Sequence, residues 1–465
     1  MRLPIIVALT LFMPGCDLSS ESRIDPETAN EITFAEHIAP IIHENCTPCH
    51  RPGQVGPFSL ITYKDVRKRA RTIKQVTSTK VMPPWPADRT YRSFVGERGL
   101  ADDEIALIAD WVANGAPIGD ASKLPSEPIY SSRTDLGEPD LVIEMTEPYT
   151  IEGNNEDHFL MMKIPIELDR DTTISAIEFA PGNRELIHHM DADLVHYEPG
   201  AKTRLDGGEH FVDNESHTIP QVFKLFDILN DDGSEPIISG SVSNYLPGVT
   251  GIRYPQNIGG WKVGKKSILF IRDIHYGPTP MEQRDQSTFN IYFTDKEPER
   301  RIREVVMGTM TTLIRGEPIA PVSEPLIIPP GVIKRFTASL PVSRDLSLIT
   351  INPHMHLLGK SFLAYAVDTL GDTIPLIKIP RWDFRWQYFY TFKNLLRIPK
   401  GSTIVCEGVF DNTTDNENNP FDPPQTITDS KRLMKTTEEM FQFIISYLVY
   451  KKGDENTTLD PLGKN

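Results

Sequence analysis

The chain has 465 residues, 39% of them hydrophobic and 24% charged, and a formal net charge of −16. This length exceeds what one hydrophobic core usually supports, so we expect two or three globular domains. The acidic balance, without a basic stripe, excludes nucleic acid as a partner.

The N-terminal residues predict export. Arg2 is followed by an apolar run over 5–13, which is too short to span a membrane. Small residues before Cys16 resemble a bacterial lipobox, although Met13 and Pro14 depart from its commonest form. This predicts lipidation of Cys16, with ordinary signal cleavage nearby as the alternative. Either outcome predicts a periplasmic or cell-surface protein, and lipidation would attach it to a membrane.

A helical pattern begins at Thr33. Thr33 and Glu36 have the spacing of a capping box, and apolar residues at 34, 38, 41 and 42 share one helical face. Pro40 falls within this helix and predicts a kink. A second helix is predicted over 101–113. We expect these two helices to bracket a compact, all-α domain.

Cys46-Thr-Pro-Cys49-His50 is the attachment pattern of c-type haem. Two thiolates two residues apart reach the two vinyl groups, and the next residue gives an imidazole to the iron. A zinc site would need a second ligand pair nearby, and a redox dithiol would need a βαβ context; the sequence offers neither. Met82, held between Val81 and two prolines, is the predicted sixth ligand, with a core methionine as the alternative. The stretch 33–118 resembles class I-type cytochrome c domains.

From residue 139 onward the sequence predicts β-structure. Runs rich in branched residues at 159–166, 174–179, 267–275 and 362–367 predict strands, with turn signals between them. Many short strands over about 320 residues favour two sandwiches. The predicted fold is therefore a small all-α cytochrome c domain followed by two all-β, jelly-roll-like sandwich domains.

The predicted segments follow from these patterns and from a polar linker without apolar periodicity. They are a lipoprotein signal peptide at 1–16, the linker at 17–31, the haem domain at 32–120 and β domains at 138–300 and 301–455.

Five histidines lie in strand-like runs. His354 and His356 are alternate residues, which point the same way in a strand and can therefore hold one ion together. His188 and His189 are adjacent and point to opposite faces of a regular strand. Their joint ligation, with His275, would need a local distortion such as a β-bulge.

These motifs resemble the copper type II, ascorbate-dependent monooxygenases, the family of peptidylglycine α-hydroxylating monooxygenase and dopamine β-monooxygenase. The resemblance covers roughly residues 140–452 in the family's order. The matching features are His-His-Met at 188–190, His-Tyr at 275–276, His-x-His-x-Leu-Gly-Lys at 354–360 and Glu-Glu-Met-Phe at 438–441.

The resemblance implies two copper ions with different ligands. The electron-transfer copper would be held by His188, His189 and His275. The oxygen-binding, catalytic copper would be held by His354, His356 and Met440. Three imidazoles suit both Cu(I) and Cu(II), whereas a thioether favours Cu(I), the state that binds oxygen. Met440 as a simple packing residue is the alternative.

The resemblance implies an exported monooxygenase that hydroxylates a small organic substrate with O2. Ascorbate or a periplasmic redox carrier would donate electrons, and the haem would relay them to the three-histidine copper. One alternative is a non-catalytic haem and copper electron-transfer lipoprotein. A third interpretation makes the β domains an adhesion module beside a cytochrome.

Several positions depart from the family. Known members are rich in disulfides, whereas this chain has four cysteines, of which Cys406 is predicted to be a buried apolar residue. Asn352 replaces the arginine that binds the substrate carboxylate in the peptide-hydroxylating enzymes. Gln442 and Ile444 replace further substrate contacts, so a peptide C-terminus is not the expected substrate. The aromatic stretch 382–387 has two open interpretations, a pocket wall and a β-core.

Overall fold

The computed structural model describes residues 32–130, 136–249, 251, 254, 258, 260–294, 297–309, 320–429 and 435–460. The predicted signal peptide, with Cys16, and the linker lie outside these ranges. Across the described ranges, no helix combines the length and apolar character needed to cross a membrane.

Short helices form the N-terminal segment. They are a π-helical turn at Phe34–Ile38, α1 (Ala39–Asn45), α2 (Tyr63–Lys68), α3 (Ala70–Ser78) and α4 (Asp102–Ala113). The second predicted helix is confirmed by α4. The predicted capping box is wrong, because Thr33 makes no side-chain cap bond and Glu36 instead pairs with Lys123 at 2.6 Å. Pro40 is the second residue of α1, at the point where the π-helical turn passes into the α-helix.

The first β-sandwich contains two main antiparallel sheets, with strand orders β1-β11-β4-β8 and β6-β3-β9-β5-β7, and a β10-β2 pair. Its strands are β1 (Leu141–Glu144), β2 (Tyr149–Ile151), β3 (His158–Glu167), β4 (Thr172–Ala180), β5 (Ile187–His196), β6 (Phe211–Asp213), β7 (Ile237–Tyr245), β8 (Trp261–Val263), β9 (Lys266–Tyr276), β10 (Gln283–Asp285) and β11 (Thr288–Phe293). Helix α5 (Ile219–Leu225) covers the outer face of the larger sheet through Phe223, which packs on Phe270 at 5.6 Å between ring centroids.

The second β-sandwich has sheets of order β13-β12-β22-β16-β19 and β15-β20-β17-β18, with a β14-β21 pair. Its strands are β12 (Arg303–Gly308), β13 (Ala320–Pro321), β14 (Ile327–Ile328), β15 (Val332–Pro341), β16 (Leu346–Met355), β17 (Gly359–Val367), β18 (Thr373–Ile379), β19 (Tyr390–Ile398), β20 (Thr403–Asn412), β21 (Ile427–Thr428) and β22 (Phe441–Val449). The four strands predicted from branched residues are confirmed by β3, β4, β9 and β17. Cys406, in β20, is fully buried, as predicted.

The predicted all-α domain is wrong, whereas the β-sandwich prediction is compatible with the structure. Among the described residues, strands make up 38% and helices only 13%. Between α3 and α4 the chain is without helix from 79 to 101, and this stretch packs on the second sandwich. The buried side chains of Ala87 and Phe94 belong to the core of that sandwich. The segment therefore is not an independent helical unit.

Backbone and side-chain contacts attach this stretch to β18 and β19. The amide of Val95 donates to the carbonyl of Thr391 at 2.8 Å, and the amide of Asp88 donates to the carbonyl of Lys378 at 2.7 Å. The Asp88 carboxylate also pairs with the Lys378 ammonium at 3.0 Å. Phe94 packs on aromatic rings of β19 and is fully buried. Its burial is the main apolar contribution of residues 79–101 to the contact with the second sandwich.

A Phe94→Ala substitution is expected to lower the free energy of unfolding by about 3–5 kcal/mol, because it leaves a cavity in the core of the second sandwich. Denaturant unfolding measures this loss, and limited proteolysis of residues 79–101 should become faster. The control is Ser93→Ala, whose side chain is exposed. Equal stability of the two variants would contradict the proposed contribution of Phe94.

The two sandwiches meet at buried charged groups. The Arg272 guanidinium of β9 lies 3.9 Å from Asp191 and 3.8 Å from Asp193, both on β5. Glu304 of β12 faces this group from the second sandwich and is 6% exposed. Burial raises the pKa of Glu304 to about 7, although Arg272 lowers it. An ionised Glu304 therefore destabilises the contact between the two sandwiches.

A Glu304→Gln variant, compared with the wild-type protein at several pH values, tests whether ionised Glu304 lowers the stability. Because the pKa of Glu304 is raised on folding, its contribution to stability is present in full below about pH 4.5 and is lost as the pH rises to about 7. We therefore expect the wild-type protein to lose up to about 3 kcal/mol relative to the variant across this window. Denaturant unfolding at several pH values measures the difference. Parallel pH profiles would show that the pKa of Glu304 is not raised.

Candidate functional site

A β-bulge brings His188 and His189 to one cluster. In the pairing of β5 with β9, Ile187 is opposite Tyr276 and His189 is opposite His275, so His188 is the extra residue. A bulge turns a side chain away from the regular alternation of a strand. The distortion that joint ligation requires is therefore present at His188.

The cluster contains two close imidazoles and one carboxylate. The potential ligand atoms of His188, His275 and Asp157 all lie within 4.8 Å of one another. The ring centroids of His188 and His275 are 4.7 Å apart, and those of His189 and His275 are 5.0 Å apart. His189 lies at the edge of the cluster, because its Nε2 donates to Asp273 at 2.8 Å. The structure thus adds Asp157 to the three histidines expected from the sequence.

Two carboxylates orient the rings of this cluster. The Nε2 of His275 donates to Asp157 at 2.7 Å, which leaves Nδ1 of His275 as the atom available to a ligand. Asp273 is itself fixed by Asn214, which donates to it at 2.8 Å. Burial lowers the pKa of His188 to about 4, so its ring is neutral and can bind a metal ion. For His189, burial lowers the pKa, but the adjacent Asp273 raises it above the ordinary value.

A second cluster lies at the end of β16. The ring centroids of His354 and His356 are 5.1 Å apart. The Nδ1 of His354 donates to the side-chain oxygen of Gln387, and the Nδ1 of His356 donates to the carbonyl of Glu438 at 2.8 Å. Both rings therefore keep Nε2 available. Burial lowers the pKa of His354 to about 3 and that of His356 to about 4, so both rings are neutral.

Glu439 holds the backbone around this cluster. Its buried carboxylate accepts from the amides of His356 at 2.9 Å, Leu358 at 2.6 Å and Met440 at 3.2 Å. The pairing of β16 with β22 ends with Met355 opposite Phe441, so His356 and Met440 are the first residues beyond the last pair. Met440 is 1% exposed. The structure thus brings Met440 to the end of the strand that carries the two histidines.

Both clusters border one cavity between the sandwiches. Its volume is about 90 Å³, and its lining includes His189 and Asp273 from the first sandwich and His354 and Gln387 from the second. Asn352 also lines it and donates to the carbonyl of Tyr388 at 3.0 Å. One histidine of each cluster, His189 and His354, therefore borders this small cavity, whose lining is mainly apolar.

The Cys46–His50 segment follows α1. Cys46 and Cys49 are free thiols, and burial raises the pKa of Cys46 to about 12. The Nδ1 of His50 donates to the carbonyl of Phe58 at 3.2 Å, which leaves Nε2 available. Gly56 lies directly under this ring, since a Cβ there would come within 2.7 Å of Nδ1 of His50. The backbone of this segment is thus fitted closely around His50.

Met82 lines an open cleft of about 960 Å³ between the N-terminal segment and the second sandwich. Trp85 lies in the same wall, and its buried Nε1 has no partner among the described residues. The opposite wall includes Trp382 and Trp386. Cys46, Cys49 and His50 are not among the described residues that line the cleft.

The aromatic stretch 382–387 combines both interpretations left open by the sequence. None of its residues lies in a strand, and most of them line the cleft or the cavity. Trp382 is nevertheless 7% exposed and belongs to the core of the second sandwich. Its Nε1 donates to the carbonyl of His356 at 3.2 Å.

Sequence reasoning missed the groups that orient the histidines. Asp157, Gln387 and Glu439 come from distant parts of the chain, and no local pattern marks them. Asp273 carries a detectable signal, because it is two residues from His275 and lies on the same face of β9. Gly277 was also missed. A Cβ at this position would come within 2.5 Å of Nε2 of His188.

Comparisons with known proteins leave the family open. No protein-family model matches the chain, and no curated protein matches it. A crystal structure of the infectious bursal disease virus VP2 subviral particle is similar over 71% of this chain and 76% of that chain, at 8% sequence identity and a TM-score of 0.18. A similarity this low carries no argument about fold or function.

A Gly277→Ala substitution is expected to displace the His188 ring and to weaken metal binding at the first cluster roughly 10- to 100-fold, the scale of a lost orienting contact. Titration with Cu(II) in competition with a chelator measures the affinity. Gly264→Ala is the matched control, because a Cβ there has only ordinary contacts at 3.5 Å or more. Unchanged affinity in the Gly277 variant would remove His188 from the ligand set.

Proposed function

We propose that this chain is an exported copper-dependent monooxygenase. It hydroxylates a small organic substrate with O2 and receives electrons through a covalently bound haem c. The observation that carries the proposal is that one histidine from each imidazole cluster, His189 and His354, lines the same cavity. Carboxylates lie beside the first cluster, and the buried Met440 lies at the end of the strand pair that carries the second. The resemblance of the histidine motifs to copper type II monooxygenases supports it.

The donor groups fit two copper ions. Imidazole nitrogens suit copper in both oxidation states, and a thioether beside two imidazoles favours Cu(I). Four of the five histidines donate one ring nitrogen to a carboxylate, carbonyl or amide oxygen and leave the other free, which is the usual arrangement of metal-ligating histidines. Asp157 offers a further oxygen ligand at the first site.

The N-terminal segment fits a covalent haem. Two free thiols in the required spacing precede His50, whose Nε2 is available to an iron ion. The unpartnered Nε1 of Trp85 is a buried donor beside Met82 and suits an acceptor such as a carboxylate of the cofactor. Cys46 and Cys49 would hold the haem through thioether bonds, and His50 and Met82 would bind its iron.

The residues of the chain have separable tasks. Copper, when bound, supplies one-electron redox chemistry and the binding of O2. Asp157 and Asp273 orient the imidazoles of the first site, and Gln387 and the Glu438 carbonyl orient those of the second. Glu439 fixes the chain on both sides of the second site, so that the two histidines and Met440 keep one geometry.

A non-catalytic electron carrier is the second candidate. The observation that favours it is the size of the shared cavity, which at about 90 Å³ admits a few water molecules rather than an organic substrate. In this case the same ligands would bind copper and pass electrons without oxygen chemistry.

A Met440→Ala substitution separates the candidates. We expect the purified wild-type protein to contain two copper ions and one haem and to consume O2 when reduced. The variant should lose the second copper and its oxygen uptake, because the thioether that stabilises Cu(I) is absent. Elemental analysis, the haem spectrum and an oxygen electrode provide the measurements.

The control is Met307→Ala, which removes an equally buried methionine from the core of the second sandwich. It should lower stability by about 2–5 kcal/mol and keep both copper ions. Oxygen uptake that does not depend on Met440 would favour the electron carrier, and a protein with haem but without copper would contradict the monooxygenase.

A further inference from the structure

The interface between the two sandwiches contains more acidic groups than basic groups around Glu304. This residue is the second residue of β12, the first strand of the second sandwich. It faces groups on three strands of the first sandwich and on the loop after β7, namely Arg272 of β9, Asp191 and Asp193 of β5, Ser241 of β7 and Tyr254 of the loop. Burial keeps Tyr254 neutral by raising its pKa. When all the carboxyl groups are ionised, three carboxylates therefore share one guanidinium.

The charged groups at this interface are not held by hydrogen bonds to one another. The Arg272 guanidinium lies 3.9 Å from Asp191 and 3.8 Å from Asp193, which is beyond hydrogen-bond distance. Both oxygens of the Glu304 carboxyl group and the Oγ of Ser241 are buried without a partner among the described residues. A buried polar group without a hydrogen bond destabilises the arrangement that buries it, and a charged group does so more strongly. An ionised Glu304 thus has only the attraction of Arg272, which two aspartates share.

The cavity between the sandwiches borders this group of charges. Asp191, Asp193 and Arg272 line it from the first sandwich, and Val306 lines it from the second. Val306 is two residues from Glu304 on β12, and alternate residues of a strand lie on the same face. If the sandwiches separate here, the cavity becomes continuous with solvent and water reaches Glu304. Opening therefore stabilises the ionised carboxylate.

Apolar contacts oppose such an opening. Leu246, in the loop after β7, is buried in the core of the second sandwich. Ile258, in the same loop, belongs to a buried cluster with Ile349 and Leu448 of the second sandwich. These contacts do not change with pH, whereas the charge of Glu304 does. The balance between the closed and open interface therefore depends on the protonation of this one residue.

We infer that the interface between the sandwiches is a pH-sensitive hinge, in which ionisation of Glu304 opens the interface and connects the cavity to solvent. When Glu304 is protonated, the interface has one negative charge fewer, and the apolar contacts keep it closed. Glu304 thereby controls access to the cavity that His189 and His354 border. Neither haem nor copper takes part, so the hinge does not depend on the proposed function.

The direction of the pH effect follows from the burial of Glu304. In the closed interface, burial raises the pKa of this residue from its ordinary value of 4.5 to about 7, whereas in the open interface the carboxyl group is in water. The ratio of open to closed molecules is therefore lowest below about pH 4.5, increases as the pH rises and becomes constant above about pH 7. Between pH 5.5 and pH 8 the increase amounts to roughly 30-fold.

A cysteine placed in the cavity wall measures the opening. Asn244→Cys puts a thiol among the residues that line the cavity, and mass spectrometry follows its alkylation by iodoacetamide in the full-length protein as purified. At each pH the rate is divided by the rate in the same variant with Glu304→Gln. This ratio cancels the titration of the thiol and the effects of Asp191 and Asp193, which both proteins retain. We expect the ratio to increase roughly 30-fold between pH 5.5 and pH 8.

A second reporter and a charge control complete the test. Val306→Cys gives the same measurement from the opposite wall and replaces Asn244→Cys if that variant does not fold. Glu147→Gln removes an exposed carboxylate from the first sandwich and should leave the pH dependence of alkylation unchanged. A ratio that does not change with pH overturns the hinge. An equal effect of Glu147→Gln and Glu304→Gln also overturns it, because the general loss of one negative charge would then explain the result.

Discussion

The geometry of both histidine clusters depends on one kind of interaction, the hydrogen bond that holds four of the five rings through a single nitrogen. The partners are the Asp157 and Asp273 carboxylates, the Glu438 carbonyl and the Gln387 amide. Because these partners come from other strands and loops, each ring has a fixed direction only when the sheets are paired in register. The bulge at His188 adds a local departure from this register. The sites are therefore products of the whole fold.

The core of the second sandwich includes residues from other parts of the chain. It contains Ala87 and Phe94 from the N-terminal segment and Leu246 from the loop after β7. Strand β22 of this sandwich begins two residues after Glu439, which accepts hydrogen bonds from the amides of His356, just after β16, and Met440, just before β22. Packing and ligand geometry are thus coupled, because some of the contacts that attach the N-terminal segment lie on β19, which pairs with the strand β16 that carries His354.

Sequence reasoning succeeded where chemistry depends on local spacing. The alternation of His354 and His356, and the need for a bulge at His188, follow from the two-residue period of a strand. It failed where contacts are distant. Helical periodicity predicted α4 correctly. The apolar residues between the helices, such as Phe94, instead complete a β-core whose aromatic residues lie more than 290 residues further along the chain. No local pattern specifies such a partner.

The attachment of the N-terminal segment also determines the order in which the chain can become compact. The hydroxyl of Tyr388 and the carbonyl of Pro84 that it contacts are separated by 304 residues. At about 5–20 residues per second, roughly 15–60 s of synthesis lies between the two. Until then the aromatic face around Phe94 has no strand to cover it. The stretch around Phe94 therefore remains incompletely packed until the last third of the chain has been synthesised.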